Sequence, residues 1–315
     1  MEYRRLIKFG NSSFVVSVPK DWLRKNHLEK GDMVYMNENG NNELVVSSQM
    51  EGKEPVSQTM TLDIDPYSFE DIERRVVSKY VLGYDTFTLV GEKTLREKQD
   101  VIRNLFNNLM AFEIIEQTRT KVVAKDFLNP SEISFKVIAR RIDTILRSMF
   151  QDLKTIAQEE DAIDIVRRDN DINRLAHLTA RIVTKCFDYP PLAKRLDVTA
   201  PQLLYYRELM ENLERIGDEI KRIARFLATS RLPPQKYSDF LLIYEDVITF
   251  YLDSMRALYT QDENQSYELA KQRKSLLERC LEAVEKHKDP YIFSSFERLK
   301  TIIVLIRNIL RLIYQ

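Results

Sequence analysis

The chain has 315 residues, 44% of them hydrophobic, with 48 basic and 48 acidic side chains and two cysteines. Such a length holds two or three domains with cores of their own, and the composition is that of an ordinary globular chain. Zero net charge excludes a polyanion receptor spread over the whole surface, and Cys186 and Cys280 lack the spacing of a zinc knuckle or a disulfide framework. Two isolated thiols and an opening without a leader pattern make the cytoplasm the expected location. The most apolar run, Thr301 to Tyr314, is interrupted by Arg307 and Arg311. It reads as a buried bundle helix, so no membrane insertion is expected.

Six of the seven glycines lie before residue 92, the last being Gly217. Turns and strands therefore belong early in the chain and long helices late. Residues 1–48 predict a small β-rich module. Tyr3 to Phe9 and Ser13 to Val18 are β-prone runs parted by Gly10-Asn11, and Pro19 suits the first turn of a short helix with Trp22 and Leu23 on its apolar face. Gly31-Asp32 turns the chain back to Met33–Met36, and Asn39-Gly40 signals a hairpin before Glu43–Val46. So short a piece closes a core most simply by intertwining with a second copy. Its first 30 residues carry seven basic against three acidic side chains, a balance suited to phosphate contacts.

The run Lys8-Phe-Gly-Asn-Ser-Ser-Phe-Val-Val-Ser-Val-Pro-Lys-Asp-Trp22, followed by Leu28-Glu-Lys-Gly-Asp-Met-Val34, resembles the SpoVT–AbrB family of DNA-binding domains. The resemblance covers nearly the whole module and implies a swapped-hairpin homodimer docked on double-stranded DNA. Arg4, Arg5, Lys8, Asn11, Lys20, Arg24 and Lys25 are then the candidate DNA-binding residues.

Residues 49–64, with Gly52 and Pro55, predict a polar linker. Asp65-Pro66 predicts a cap and first position for a helix over 67–81. A strand over 86–90, a helix over 95–109 and strands over 112–117 and 121–125 complete a small α/β unit at 65–128, to which no chemistry is assigned. Beyond it prolines punctuate helices. Asn129-Pro130-Ser-Glu132 predicts the start of a helix carrying Ile138, Ile142, Ile145, Met149, Leu153 and Ile156. A second helix spans 162–187, and Thr199-Ala-Pro201 opens a third. After Pro233-Pro234 come helices over 237–259 and 263–287, and Asp289-Pro290 opens the last. Three helices on each side of a proline break predict two tandem three-helix bundles, 129–232 and 233–315. The fold class is thus mainly α, with the β module and the α/β unit in front.

The third helix carries the densest chemistry. Leu203, Tyr206, Met210, Leu213, Gly217, Ile220, Ala224 and Leu227 form one apolar stripe, beside which Glu211, Glu214 and Asp218 stack at helical spacing. Gly217 on that stripe gives up about 1 kcal/mol of helix propensity and lets a neighbouring helix approach. The acids admit two readings, a solvated face offset by Arg215, Lys221 and Arg222, or hard oxygen ligands for a cation.

Leu213-Glu-Arg-Ile-Gly-Asp218 resembles the signature of the PhoU family of phosphate-uptake regulators, and 131–315 follow its repeat. Tyr80-Val-Leu-Gly-Tyr84 and Glu113-Ile-Ile-Glu-Gln-Thr118 resemble the joining segment of archaeal PhoU-like regulators. The family resemblance implies carboxylate motifs from the second and third helices of a repeat that bind metal. Carried over, it places Asp169, Asn173, Glu214 and Asp218 around a divalent or ferric ion such as Mg, Mn, Fe or Zn. Asn173 stands where a carboxylate is commonest, and Asp171 is expected to be solvated. The second repeat departs from the pattern, offering basic Lys271-Gln-Arg-Lys-Ser275 and then Glu297 with Thr301 in place of an acid.

His27, His177 and His287 have no Glu three residues before them, and no nucleophile elbow, phosphate loop or dinucleotide fingerprint occurs. The expectation is a regulator and no enzyme: a DNA-binding dimer controlling phosphate uptake, its bundle sensing or docking a sensor protein. The rival is a negative regulator that docks on the ATPase of a phosphate ABC transporter without touching DNA.

Overall fold

The computed structural model describes residues 3–38, 43–48, 57–156, 159–230, 238–286 and 288–314. They form two units, Met1–Val56 and Ser57–Gln315. The Asn39-Gly40 turn, Gly52, Pro55, the Pro233-Pro234 break and His287 lie outside the described residues.

In the first unit β1 (Ile7–Phe9) and β2 (Ser13–Val15) pair antiparallel, with Lys8 opposite Phe14. Gly10 takes φ 69° in their turn, a conformation that costs other residues strain. Pro19 caps α1 (Lys20–Lys25) in extended geometry, and β3 (Tyr35–Glu38) pairs antiparallel with β4 (Leu44–Ser47). None of this unit's described residues is buried: Phe9 is 69% exposed, Phe14 63% and Leu44 62%. Two ribbons and one helical turn hold too little surface to enclose these side chains.

The second unit starts with a strand. Thr59–Asp63, placed in a linker by its polar composition, is β5; Met60 and Leu62 alternate inward with outward Thr59, Thr61 and Asp63. It pairs parallel with β6 (Thr86–Val90) across α2 (Phe69–Val81). The sheet order is β5-β6-β8-β7, with β7 (Phe112–Gln117) and β8 (Lys121–Asp126) forming an antiparallel hairpin. A register shift between Ile114 and Glu116 interrupts β7 at the sheet's edge. Ile72, Val76 and Tyr80 of α2 face Phe87, Leu89, Val122 and Ala124 of the sheet in the unit's own core.

Two helix starts differ from expectation. Ser68 caps α2 by accepting from the Asp71 amide, and Asp65 instead accepts from the amides of Glu92, Lys93 and Thr94, capping α3 (Lys93–Glu97). The predicted helix over 95–109 is divided at Lys98 into α3 and α4 (Gln99–Asn107). Pro130–Glu132 is a single 3-10 turn, and α5 (Phe135–Leu153) begins after Ser134, whose hydroxyl accepts from the Val137 amide.

The long helices follow as α6 (Glu159–Asp188), α8 (Ala200–Ser230), α9 (Ser238–Thr260), α10 (Glu263–Lys286) and α11 (Pro290–Arg311). Pro190 and Pro191 open the short α7 (Pro190–Arg195). Thr199 and Gln202 form a reciprocal capping box at the start of α8, and Asp289 caps α11 through the Tyr291 and Ile292 amides. The two sets of three long helices share one continuous core. Tyr244 of α9 donates to the Phe150 carbonyl of α5, and Tyr251 and Tyr259 donate to the buried Asp143 carboxylate, which also binds Arg147. Such ties fuse the sets. Among the described residues no helix is long and apolar enough to cross a membrane.

The α/β unit docks through Arg181 of α6, whose side chain is wholly buried. Its guanidinium donates to the Tyr80 carbonyl at 2.6 Å and to Asp126 at 2.5 Å, reaches Asp85 at 3.4 Å, and lies over the rings of Tyr80 and Phe112. Lys185, one turn on, binds Asp85 at 2.6 Å and Asp126 at 3.0 Å. Burial alone would raise the Asp126 carboxyl, but the charges and bonds of Arg181 and Lys185 hold it below the ordinary range. Removing one partner of a buried pair leaves a stranded charge. Arg181→Met should therefore lower unfolding free energy by about 3–5 kcal/mol, read from a lower urea midpoint, and adding Asp126→Asn should recover part of it.

Candidate functional site

α6 and α8 run side by side and approach closely at Gly217. A Cβ there would sit 3.1 Å from Ile172 Cδ1 and 3.5 Å from Asp169 Oδ1. That contact brings Asp169, Asn173, Glu214 and Asp218, the four residues picked from sequence, around one seam between the helices. Asp169 is fully buried, while Asn173, Glu214 and Asp218 are half-buried.

The centre of the seam is filled by Lys221. Its ammonium donates to Asp169 Oδ2 at 2.6 Å and to Asp218 Oδ1 at 2.5 Å, clamping one carboxylate from each helix. Arg222 adds a 3.7 Å contact to Asp218 and binds Glu219 at 2.6 Å. The Asn173 amide approaches Asp169 Oδ2 at 3.4 Å, and Asp169 Oδ1 and Asn173 Oδ1 are buried with no hydrogen-bond partner. Burial pushes the Asp169 carboxyl upward despite the lysine. Glu214, with no ammonium of its own, is pushed up to about 7 by burial first and then by Asp218 and Asp169. The bonds from Lys221 outweigh its desolvation, so it holds its proton more firmly than a free lysine.

Hard cations take several carboxylate and amide oxygens, and the two orphaned oxygens have that chemistry. The donor set as it stands does not fit a metal centre, however. Its central position holds a protonated amine that would repel a metal ion, and among the described residues no three His, Cys, Asp or Glu side chains are grouped to hold one. His177, on the same helix, is half-buried and pushed down by burial. Asp171, expected in solvent, is half-buried against Arg174. On α10 Lys271 pairs with Glu268, and on α11 Glu297 pairs with Lys300 while Thr301 donates to the Glu297 carbonyl.

In the first unit Arg4, Arg5, Lys8, Asn11, Lys20, Arg24 and Lys25 are all exposed. Lys8 lies on β1, Asn11 in the hairpin turn, and Lys20, Arg24 and Lys25 on α1, where Arg24 pairs with Asp21.

A family model described as the PhoU domain matches residues 139–227. The chain carries a PhoU domain. The match runs from α5 through α8, so it encloses the whole Asp169–Lys221 seam and leaves α9 to α11 outside. A second model, described as antidote-toxin recognition MazE, bacterial antitoxin, matches residues 7–56 and marks the first unit as a MazE/AbrB-like domain. No curated protein and no solved structure matches the chain. Both families are regulatory in kind.

Glu214 and Asp218 were legible from spacing, Asp169 only through the PhoU resemblance, and Lys221 only as a neighbour of Asp218. That it also reaches Asp169 on another helix carries no local signal. Glu219, buried and paired with Arg222 and with Arg298 of α11, was not picked out at all.

Glu214 should make PhoU-domain stability depend on pH. Its carboxyl moves from an ordinary 4.5 to about 7, so folding favours the protonated form; that contribution is full below pH 4.5 and is lost as pH rises to about 7. Glu214→Gln cannot ionise and keeps it. Thermal unfolding of the variant should match wild type at pH 4.5 and exceed it at pH 8 by about 1 kcal/mol, after allowance for solvent screening of a partly exposed group.

Proposed function

We propose that this chain is a DNA-binding transcriptional regulator of phosphate uptake that works as a homodimer in the cytoplasm. The observation that carries this reading is the first unit: a basic MazE/AbrB-like module whose apolar side chains, Phe9, Phe14 and Leu44 among them, are exposed in a single copy. Each exposed side chain of that size forgoes roughly 1.5–3 kcal/mol of burial, and a second copy is the occupant that would restore it. Pairing also doubles the exposed basic set of Arg4, Arg5, Lys8, Lys20, Arg24 and Lys25, with Asn11 at the turn between the strands. The PhoU domain supports the phosphate assignment, its bundle acting as the part that senses phosphate status or receives a sensor protein. Neither half needs a reaction to do this, so no catalytic residue is assigned.

The rival reading makes the bundle a brake on a phosphate ABC transporter ATPase, with the first unit serving to dimerise. The two part on the basic residues. Full-length protein titrated onto duplexes from its own upstream region should lose affinity steeply with salt, at a log–log slope of about −0.9 per neutralised phosphate. Arg4→Ala/Arg5→Ala should abolish specific binding and flatten that slope by about 2 per subunit while leaving the dimer intact by sedimentation. Flat, weak binding by the unsubstituted chain would overturn the regulator reading, and recovery of a transporter ATPase with the bundle would favour the brake.

A further inference from the structure

We infer that Lys221 is a built-in cation, occupying from within the chain the place where the PhoU resemblance implies a metal ion. This concerns the seam alone and holds whichever partner the bundle serves.

Asp169 is completely buried on α6. A lone carboxylate in such a place would neutralise or draw in a positive partner. Asp218 approaches from α8, so the seam draws two carboxylates together and needs positive charge between them. Lys221 meets that need one turn further along α8, with Nζ 2.6 Å from Asp169 and 2.5 Å from Asp218. One ammonium bridging two helices through two acids is the arrangement a bridging metal ion would make, with N–H bonds replacing coordination.

The fit is incomplete in an informative way. An ammonium has three donors, and two are spent on Asp169 and Asp218. Asp169 Oδ1 and Asn173 Oδ1 remain buried without a donor, so the seam offers more oxygen than one lysine consumes. Surplus buried oxygens are expected of a donor set shaped for an ion with more ligands than an amine has protons. Asn173 agrees with this. An amide where a carboxylate would add negative charge suits a single positive charge at the centre better than a divalent or ferric ion.

If Lys221 fills a metal's place, removing its charge should open that place. Full-length protein stripped with chelator and titrated with Mn²⁺ by calorimetry should show no stoichiometric binding, and its thermal midpoint should not move with Mn²⁺ or EDTA. Lys221→Met should bind Mn²⁺ about tenfold or more tightly than wild type, at one ion per chain, with a midpoint that rises on adding the ion. Adding Asp169→Asn to it should abolish both effects. Lys221→Arg, which keeps the charge, should remain blind to Mn²⁺. Stoichiometric Mn²⁺ on wild type, lost in Asp169→Asn, would overturn the inference. So would a folded Lys221→Met chain that ignores the ion, since the seam would then be an ordinary ion-pair network. Should Lys221→Met unfold, recovery of its helical circular dichroism in Mn²⁺ supports the inference, and failure to recover overturns it.

Discussion

Much of the second unit depends on a buried guanidinium. Arg181 leaves α6, enters the α/β unit, and meets the Tyr80 carbonyl, two aspartates and two aromatic faces. Arginine suits this because its planar head donates in several directions and stacks on rings at the same time. Its desolvation is offset only while every partner stays in place, so the contact fixes the sheet's orientation on the helix as well as holding it there. The same α6 carries Asp169 twelve residues earlier, about 18 Å away along the axis. One helix therefore bears two buried charge clusters of opposite sense. At one a cation of α6 is received by acids of the sheet, and at the other an acid of α6 is received by a cation of α8.

What could be read in advance followed the reach of local rules. Proline breaks placed the ends of the long helices, three- and four-residue spacings repeat within α5 and α8, and Gly217 announced a close approach because it stands on an apolar stripe. Asp289 was legible as a cap since its partners are two and three residues away. Asp65 was misplaced for the opposite reason: its three amide partners lie 27 to 29 residues on. Lys221 shows both sides within one residue. Its bond to Asp218 at spacing three could be guessed, and its bond to Asp169, 52 residues back, could not. The strand at Thr59–Asp63 was hidden by composition, since threonine and aspartate read as linker although their alternation with Met60 and Leu62 has the period of a strand.

The bundle also shows how a tandem arrangement becomes one body. The family match stops at residue 227, inside α8, yet α9 and α11 continue the same core. Tyr244, Tyr251 and Tyr259 each present a hydroxyl from α9 to α5, and Glu219 of α8 meets Arg298 of α11. A shift in the α6–α8 seam would thus press on helices well outside the matched domain.

The interruption in β7 bears on how copies of this chain avoid one another. β7 is an edge of the sheet, and an unbroken edge strand invites a second sheet to zip onto it. Here the register slips between Ile114 and Glu116, and Glu113 and Glu116 place acidic groups along the strand. Two such edges meeting would misalign their ladders and set like charges against each other. The β7 edge is thereby a poor template for a second copy, a useful property in a chain whose other unit leaves its greasy side chains uncovered.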